Sequence, residues 1–242
     1  MFEQSLPPEA PLLPTSESAT TADLPTNPIH AIRELLSAPL QPLERSLEGR
    51  SSSAPALVLG GLVSTTMYGL AAGTFEGGAN VIEAGLKAPL VVILTLLLCA
   101  PSLWVFSSLA GVRWTANAFG TVLASVVGLA GLVLLGLLPV AWLFSASSRF
   151  LGFVTVVHVV CWTLALGLAG SYLKRALAVL GGRAGAGLWT ILALAVSLQV
   201  ATVLRPLLWR EPGTAVFAGE KLFFLEHFGE AAKKHQPQAD GR

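Results

Sequence analysis

The sequence predicts an all-α fold, a polytopic transmembrane bundle of five helices, and three observations carry that prediction. Of 242 residues, 53% are hydrophobic and only 12% are charged, against about 25% charged in a soluble domain. The charges lie between five stretches without Asp, Glu, Lys or Arg, at 51–75, 88–112, 114–148, 150–173 and 184–204. Each exceeds the roughly 18 apolar residues that mark a membrane span. A soluble protein can bury one such helix, but five in series would leave it no surface to turn toward water.

The first fifty residues hold seven acids against three Arg, and eight of the fifteen prolines. Residues 1–28 have too little apolar area to offset the entropy of ordering and are predicted to be disordered. They lack a basic start followed by an apolar core, so the first membrane helix is expected to direct insertion. Helical spacing begins with Ile29, Ile32, Leu35 and Leu36. Asn27 stands at the cap position and Pro28 at the first helical position. Pro39 and Pro42 interrupt the pattern, and Leu43 and Leu47 suit a second short turn. This stretch reads as a short membrane-surface helix or as a linker.

Span one covers 54–73, and its Gly69 and Gly73 form a GxxxG pair that lets a second helix come close. Span two covers 88–109 and contains Pro101, whose missing N–H and ring should kink it. The third uncharged run would be about 52 Å long at 1.5 Å per residue, beyond the ~30 Å hydrocarbon core. It is nevertheless too short for two ordinary spans and a turn. We read one helix over 118–142, with Pro139 near its end and Trp114 and Trp142 as interface anchors; a re-entrant pair is the alternative. Span four, 151–173, ends at Lys174-Arg175, and a Gly-rich turn over 181–187 leads to span five, 188–207. The bundle therefore occupies 51–208. In the polar tail, 209–242, Phe217, Phe223, Phe224, Leu225 and Phe228 mingle with Glu220, Lys221, Glu226 and Glu230, as in a short amphipathic helix lying on a membrane face.

Several short motifs resemble a family of bacterial multi-pass membrane proteins. They are Tyr68-Gly69, Lys87-Ala88-Pro89-Leu90, Pro101-Ser102-Leu103-Trp104-Val105-Phe106, Leu204-Arg205-Pro206-Leu207 and Phe223-Phe224, and the likeness covers about 55–230. Some members carry the label "actin-binding WH2 domain-containing", which these helices do not support. The chain departs from the pattern at Ser107, where the family has Asn, and at Leu207-Leu208-Trp209, where an aromatic and Gly follow Arg-Pro. The layout also looks like that of the Yip1 membrane-trafficking proteins. The resemblance implies a bacterial inner-membrane location and this architecture, and no activity.

Chemical motifs are absent. There is no Walker A loop, no GxGxxG after a strand, no HExxH and no GxSxG. A charge inside a membrane is costly and is retained where it is used, yet all fourteen acids fall outside the predicted spans. His158 shares a face of span four with Thr155 and Cys161. Those residues suggest a proton relay or a two-ligand site, or more simply a neutral His bonded to a neighbouring helix. A metal site needs more ligands, and Cys99 and Cys161 have no CxxC spacing, so neither metal nor cofactor is expected.

Gln199 and Thr202 lead in a polar stripe to Arg205 at the end of span five. Ser64, Thr65 and Tyr68 on span one, and Thr95, Cys99 and Ser102 on span two, form weaker stripes. Such hydroxyls suit interhelical packing or the lining of a narrow path. Span parity brings Arg205 to the same side as Glu83, and a bidentate pair would clamp span two to span five there; contact of Arg205 with lipid phosphate is the alternative. The formal net charge of +1 provides no field for nucleic acid, which leaves the lipid bilayer, a membrane-protein partner or a second copy as partners.

A non-enzymatic scaffold or accessory subunit fits these features first. A small-solute transporter or channel component comes second, and an intramembrane enzyme third. For orientation, a cytoplasmic N-terminus places Arg45, Arg50, Arg113, Lys174, Arg175 and Arg183 inside and Lys87, Arg149, Arg210 and Lys221 outside, in keeping with the positive-inside rule. Topology reporters fused at Arg50, Arg113 and Arg183 should therefore read cytoplasmic, and one at Arg242 should not. A cytoplasmic signal at both Arg50 and Arg242 would require an even number of spans.

Overall fold

A computed structural model of the chain describes residues 28–49, 53–75, 77–148, 150–182 and 185–204. Seven helices and no strand occur among them: α1 (Pro28–Ser37), α2 (Gln41–Leu47), α3 (Ala54–Gly73), α4 (Asn80–Leu109), α5 (Ala116–Ser147), α6 (Leu151–Val179) and α7 (Ala186–Val203). Helices α3 to α7 are each long and apolar enough to cross a membrane. The protein is thus an all-helical, five-span membrane bundle. Of the stretch 1–28 predicted to be disordered, Pro28 opens α1; residues 1–27 and the amphipathic segment of the C-terminal tail lie outside the described residues.

Three helices extend well past their predicted bounds; α5, predicted over 118–142, spans Ala116–Ser147. Helix α4 starts at Asn80, and α6 runs on through Lys174-Arg175 to Val179. Loss of hydropathy marks the edge of the lipid, whereas backbone hydrogen bonding carries a helix on until something caps it. Both α4 and α6 stop at a glycine in the left-handed region, Gly111 (φ 94°) and Gly181 (φ 87°). In each case the next amide closes the end, Val112 N–H on Ser107 O at 3.0 Å and Gly182 N–H on Leu177 O at 2.8 Å. This is the Schellman arrangement, which L side chains resist at the glycine position. Helix α5 starts where the Thr115 hydroxyl accepts from the Ala118 amide at 3.2 Å, the usual service of an N-cap threonine. The third apolar run is one continuous helix, with Pro139 inside it, and not a re-entrant pair.

The spans close into a ring. Helix α3 packs against α4 and α5, α4 meets α7, α5 meets α6, and α6 meets α7. The most apolar window of α3 is 61% buried and that of α5 56%, against 22–28% for α4, α6 and α7. Helix α3 is therefore the inner member, and glycines let it be. A methyl added at Gly131 of α5 would fall 2.5 Å from the Gly61 carbonyl oxygen of α3. One added at Gly69 would fall 2.6 Å from Ala84 O and 2.7 Å from Ala88 Cβ of α4, and one at Gly73 would fall 2.7 Å from Val81 Cα. The GxxxG pair thus admits a second helix, which is α4, and the Gly61–Gly131 contact does the same for α5.

The stretch 28–49, read as a surface helix or a linker, instead forms α1 and α2 and packs onto the bundle. Leu35 and Leu43 are fully buried, and Ala31, Leu35, Ala56, Leu57 and Ala124 share one cluster. Ile32 rests on Gly60 and Leu35 on Gly128. We call the face that carries α1, α2 and the α4–α5 and α6–α7 turns proximal, and the opposite face distal.

Gly131→Ala should lower the thermal midpoint of the protein in detergent, by an overpacking cost of about 1–3 kcal/mol. Gly136→Ala, on the same helix with nothing within 4 Å of the added carbon, should leave the midpoint unchanged or raise it by up to about 1 kcal/mol. Equal effects at the two sites would refute the close α3–α5 contact.

Candidate functional site

The most connected polar group within the spans is His158. It is on α6, seven residues from the distal end, and 7% exposed. Its Nδ1 is 2.7 Å from the Tyr68 hydroxyl of α3, and its Nε2 is 3.0 Å from Ser145 Oγ of α5. Tyr68 and Ser145 are each 2% exposed, and the phenol and imidazole rings meet edge-on at 86°. Three spans thus share one imidazole. A neutral ring has one donor and one acceptor nitrogen, and both flanking hydroxyls can take either role. Either tautomer is therefore fully paired.

The expected face-mates of His158 behave differently. Thr155 Oγ1 donates to its own backbone at Leu151 O, 2.9 Å away. Cys161 packs in the cluster that contains Tyr68, Leu134, Ala141 and Ala165. The bland reading of the sequence, a histidine bonded to neighbouring helices, describes the site. Sequence reasoning missed Ser145 entirely. It stands 13 positions before His158 across a tight turn, so the short α5–α6 connection was the available signal. Tyr68 was visible as a polar residue of span one but not as a partner.

The order Ser145–His158–Tyr68 has the form of a nucleophile, a base and an orienting group. Its surroundings differ from an acyl-transfer centre. Such chemistry needs preorganised donors for the developing oxyanion, but Ser145 occupies the last turn of α5, where a helix presents free carbonyls and its negative end.

Residues from all five spans, among them Thr65, Thr95, Trp162, Trp189 and Ser197, also line a partly open cavity of about 40 Å³ midway along the bundle. Thr65 and Ser197 donate to their own helices, at Gly61 O and Leu194 O. Thr95 Oγ1 is buried without a hydrogen-bond partner. Nearby, the Trp189 indole N–H donates to Cys99 O at 2.9 Å, and Ser102 Oγ donates to the same carbonyl at 2.7 Å. The indole bond fastens α7 to α4 at Cys99; the carbonyl that loses its helical donor to Pro101 is Leu97 O, four residues before the proline. The Pro101 ring itself is exposed.

The remaining predicted residues do not converge on one site. Glu83 Oε1 pairs with Lys87 Nζ at 2.7 Å within α4. Its proposed partner Arg205 lies outside the described residues. Gln199 is half-buried on α7, and Thr202 Oγ1 donates to Leu198 O at 2.9 Å. Among the described residues no group of three or more His, Cys, Asp or Glu could hold a metal ion.

No known protein family, curated protein or solved structure matches the chain.

Tyr68→Phe or Ser145→Ala leaves one imidazole nitrogen without a partner in a dry interior, at a cost of about 1–3 kcal/mol. Each should lower the midpoint in detergent, and the loss in the double variant should depart from the sum of the two because they share His158. Strict additivity would mean that the histidine does not join the three spans. His158→Gln, which retains a donor and an acceptor, should preserve the expression level.

Proposed function

We propose that this protein is a non-enzymatic membrane scaffold or accessory subunit of a bacterial inner membrane, with its proximal face in the cytoplasm. The observation that carries this reading is how small the cavity is to which all five spans contribute. Its volume of about 40 Å³ has room for about three waters, whereas small-molecule sites run to roughly 300–1,000 Å³. The one histidine inside the spans has both nitrogens engaged with Tyr68 and Ser145. The catalytic alternative is disfavoured by the carbonyl-rich setting of Ser145. Much of the outer apolar surface on α4, α6 and α7, including Leu97, Leu98, Leu168 and Ile191, is exposed. That surface is available to acyl chains or to the helices of another membrane protein. The proximal face holds the described cations Arg33, Arg45, Arg113, Lys174 and Arg175, while the distal face holds Lys87. By the positive-inside rule this excess belongs in the cytoplasm.

One observation favours the second reading, a small-solute transporter or channel component. The unpartnered Thr95 hydroxyl belongs to a cavity to which every span contributes. Purification in mild detergent with identification of co-purifying proteins, followed by reconstitution into liposomes, separates the two readings. The scaffold reading expects a stable partner or homo-oligomer, and solute flux no faster than in empty vesicles. Protein-dependent flux of a small solute that Thr95→Val abolishes would overturn it.

A further inference from the structure

We propose that the proximal rim where the α4–α5 and α6–α7 turns meet is a binding site for anionic lipid headgroups, built from Arg113, Lys174 and Arg175. The inference is independent of what the bundle scaffolds or carries. It starts from charge. Two of the described cations are paired, Arg45 with Glu34 at 3.0 Å and Lys87 with Glu83 at 2.7 Å. Arg113, Lys174 and Arg175 are exposed and have no ion pair among the described residues. Their own part of the chain holds no acid to supply one, because residues 84–210 contain neither Asp nor Glu. The described acids of the proximal face are Glu34 on α1, Glu44 on α2 and Glu48 just past it.

Packing brings the three cations to one rim. The two Schellman turns touch: a carbon added at Gly111 would stand 3.9 Å from Gly181 O, and one added at Gly182 would collide with the Val112 side chain. Val112, Leu173, Ala176 and Leu177 share a buried cluster, against which Trp114 packs. Arg113, between Val112 and Trp114, is thereby held beside the last turns of α6. That helix has 29 residues, about 43 Å, and exceeds the ~30 Å hydrocarbon core. Sharing the excess between its ends puts Lys174 and Arg175 near the boundary between acyl chains and headgroups.

The flanking surface suits a lipid rather than an acidic peptide or nucleic acid. Trp104, Trp114 and Phe119 form an aromatic group with centroid separations of 4.9–6.2 Å, and the Trp114 indole donates to Ser107 Oγ at 2.6 Å. Tryptophans collect at this depth of a bilayer. Phe106, Leu109, Val179 and Leu188 are exposed beside the turns and offer contact to the upper acyl chain. Unpaired cations above an aromatic and apolar shelf complement a phosphate ester with its chains below.

Trp104 and Trp114 are two of the chain's six tryptophans, so the site is read from the difference between lipid probes and between variants. The full-length protein is placed in phosphatidylcholine nanodiscs containing a few percent of dansyl-labelled phosphatidylglycerol or dansyl-labelled phosphatidylcholine, and energy transfer from tryptophan is measured. The expected result is greater transfer to the phosphatidylglycerol probe, which unlabelled phosphatidylglycerol or cardiolipin competes away. The triple variant Arg113→Gln, Lys174→Gln, Arg175→Gln should lose this preference, by roughly fivefold in affinity per cation removed. The charge-keeping pair Arg113→Lys, Arg175→Lys should keep it, and Lys87→Gln on the distal face should not alter it. A thermal midpoint of the triple variant close to that of the Lys variants excludes misfolding as the cause of the loss; if the triple variant is unfolded, the single Gln variants are read in its place. Equal transfer to both probes in the unaltered protein, or an undiminished preference in the Gln variants, overturns the proposal. Displacement of the lipid probe by an acidic peptide at lower concentration than by phosphatidylglycerol would overturn the lipid as the occupant.

Discussion

The structure depends on the backbone-to-backbone approach of α3 to its two neighbours. Inside a bilayer, lipid chains are as apolar as leucine, so little hydrophobic force gathers the helices and close packing must do so. Dispersion attraction falls away within an ångström of extra separation. Gly61 facing Gly131, and Gly69 and Gly73 facing Ala84, Ala88 and Val81, remove the side chains that would hold the helices apart. Once α3 is lodged against α4 and α5, the remaining contacts of α6 and α7 close the ring.

That placement brings Tyr68 to His158. Tyr68 is on α3 one residue before Gly69, so the turn that approaches α4 closely also fixes the phenol that bonds α6. The histidine joins α3, α5 and α6, and Trp189 with Cys99 joins α7 to α4. Packing of small residues is permissive about register. Directional bonds are not, and the two kinds of contact together select one arrangement of the five spans.

The two faces of the bundle differ in how their ends are finished. The proximal ends of α4 and α6 carry matching glycine caps whose turns abut, and α1 and α2 pack beside them with the buried Glu34 held by Arg45. The described charges of the distal face are Glu83 and Lys87, paired with each other. Among the described residues this asymmetry leaves the unpaired cations on one side, and it underlies both the proposed orientation and the proposed lipid site.

The sequence by itself determined the five candidate spans and their order. Hydropathy over twenty or more residues is a local property, and a bilayer of fixed thickness converts it directly into helices. The GxxxG contact was legible for the same reason, since both glycines are on one helix face four residues apart. Tertiary structure decided the rest. The partners of His158 stand 90 and 13 positions away, and no spacing rule relates residues on different helices. Residues 28–49 looked like a surface helix or a linker because their own hydropathy is modest, and only the shallow surfaces at Gly60 and Gly128 give Ile32 and Leu35 somewhere to be buried. Helix ends were misjudged where the polar residues Asn80, Glu83, Lys174 and Arg175 extend a helix beyond the lipid, because hydropathy reports the solvent while capping geometry reports where the helix stops.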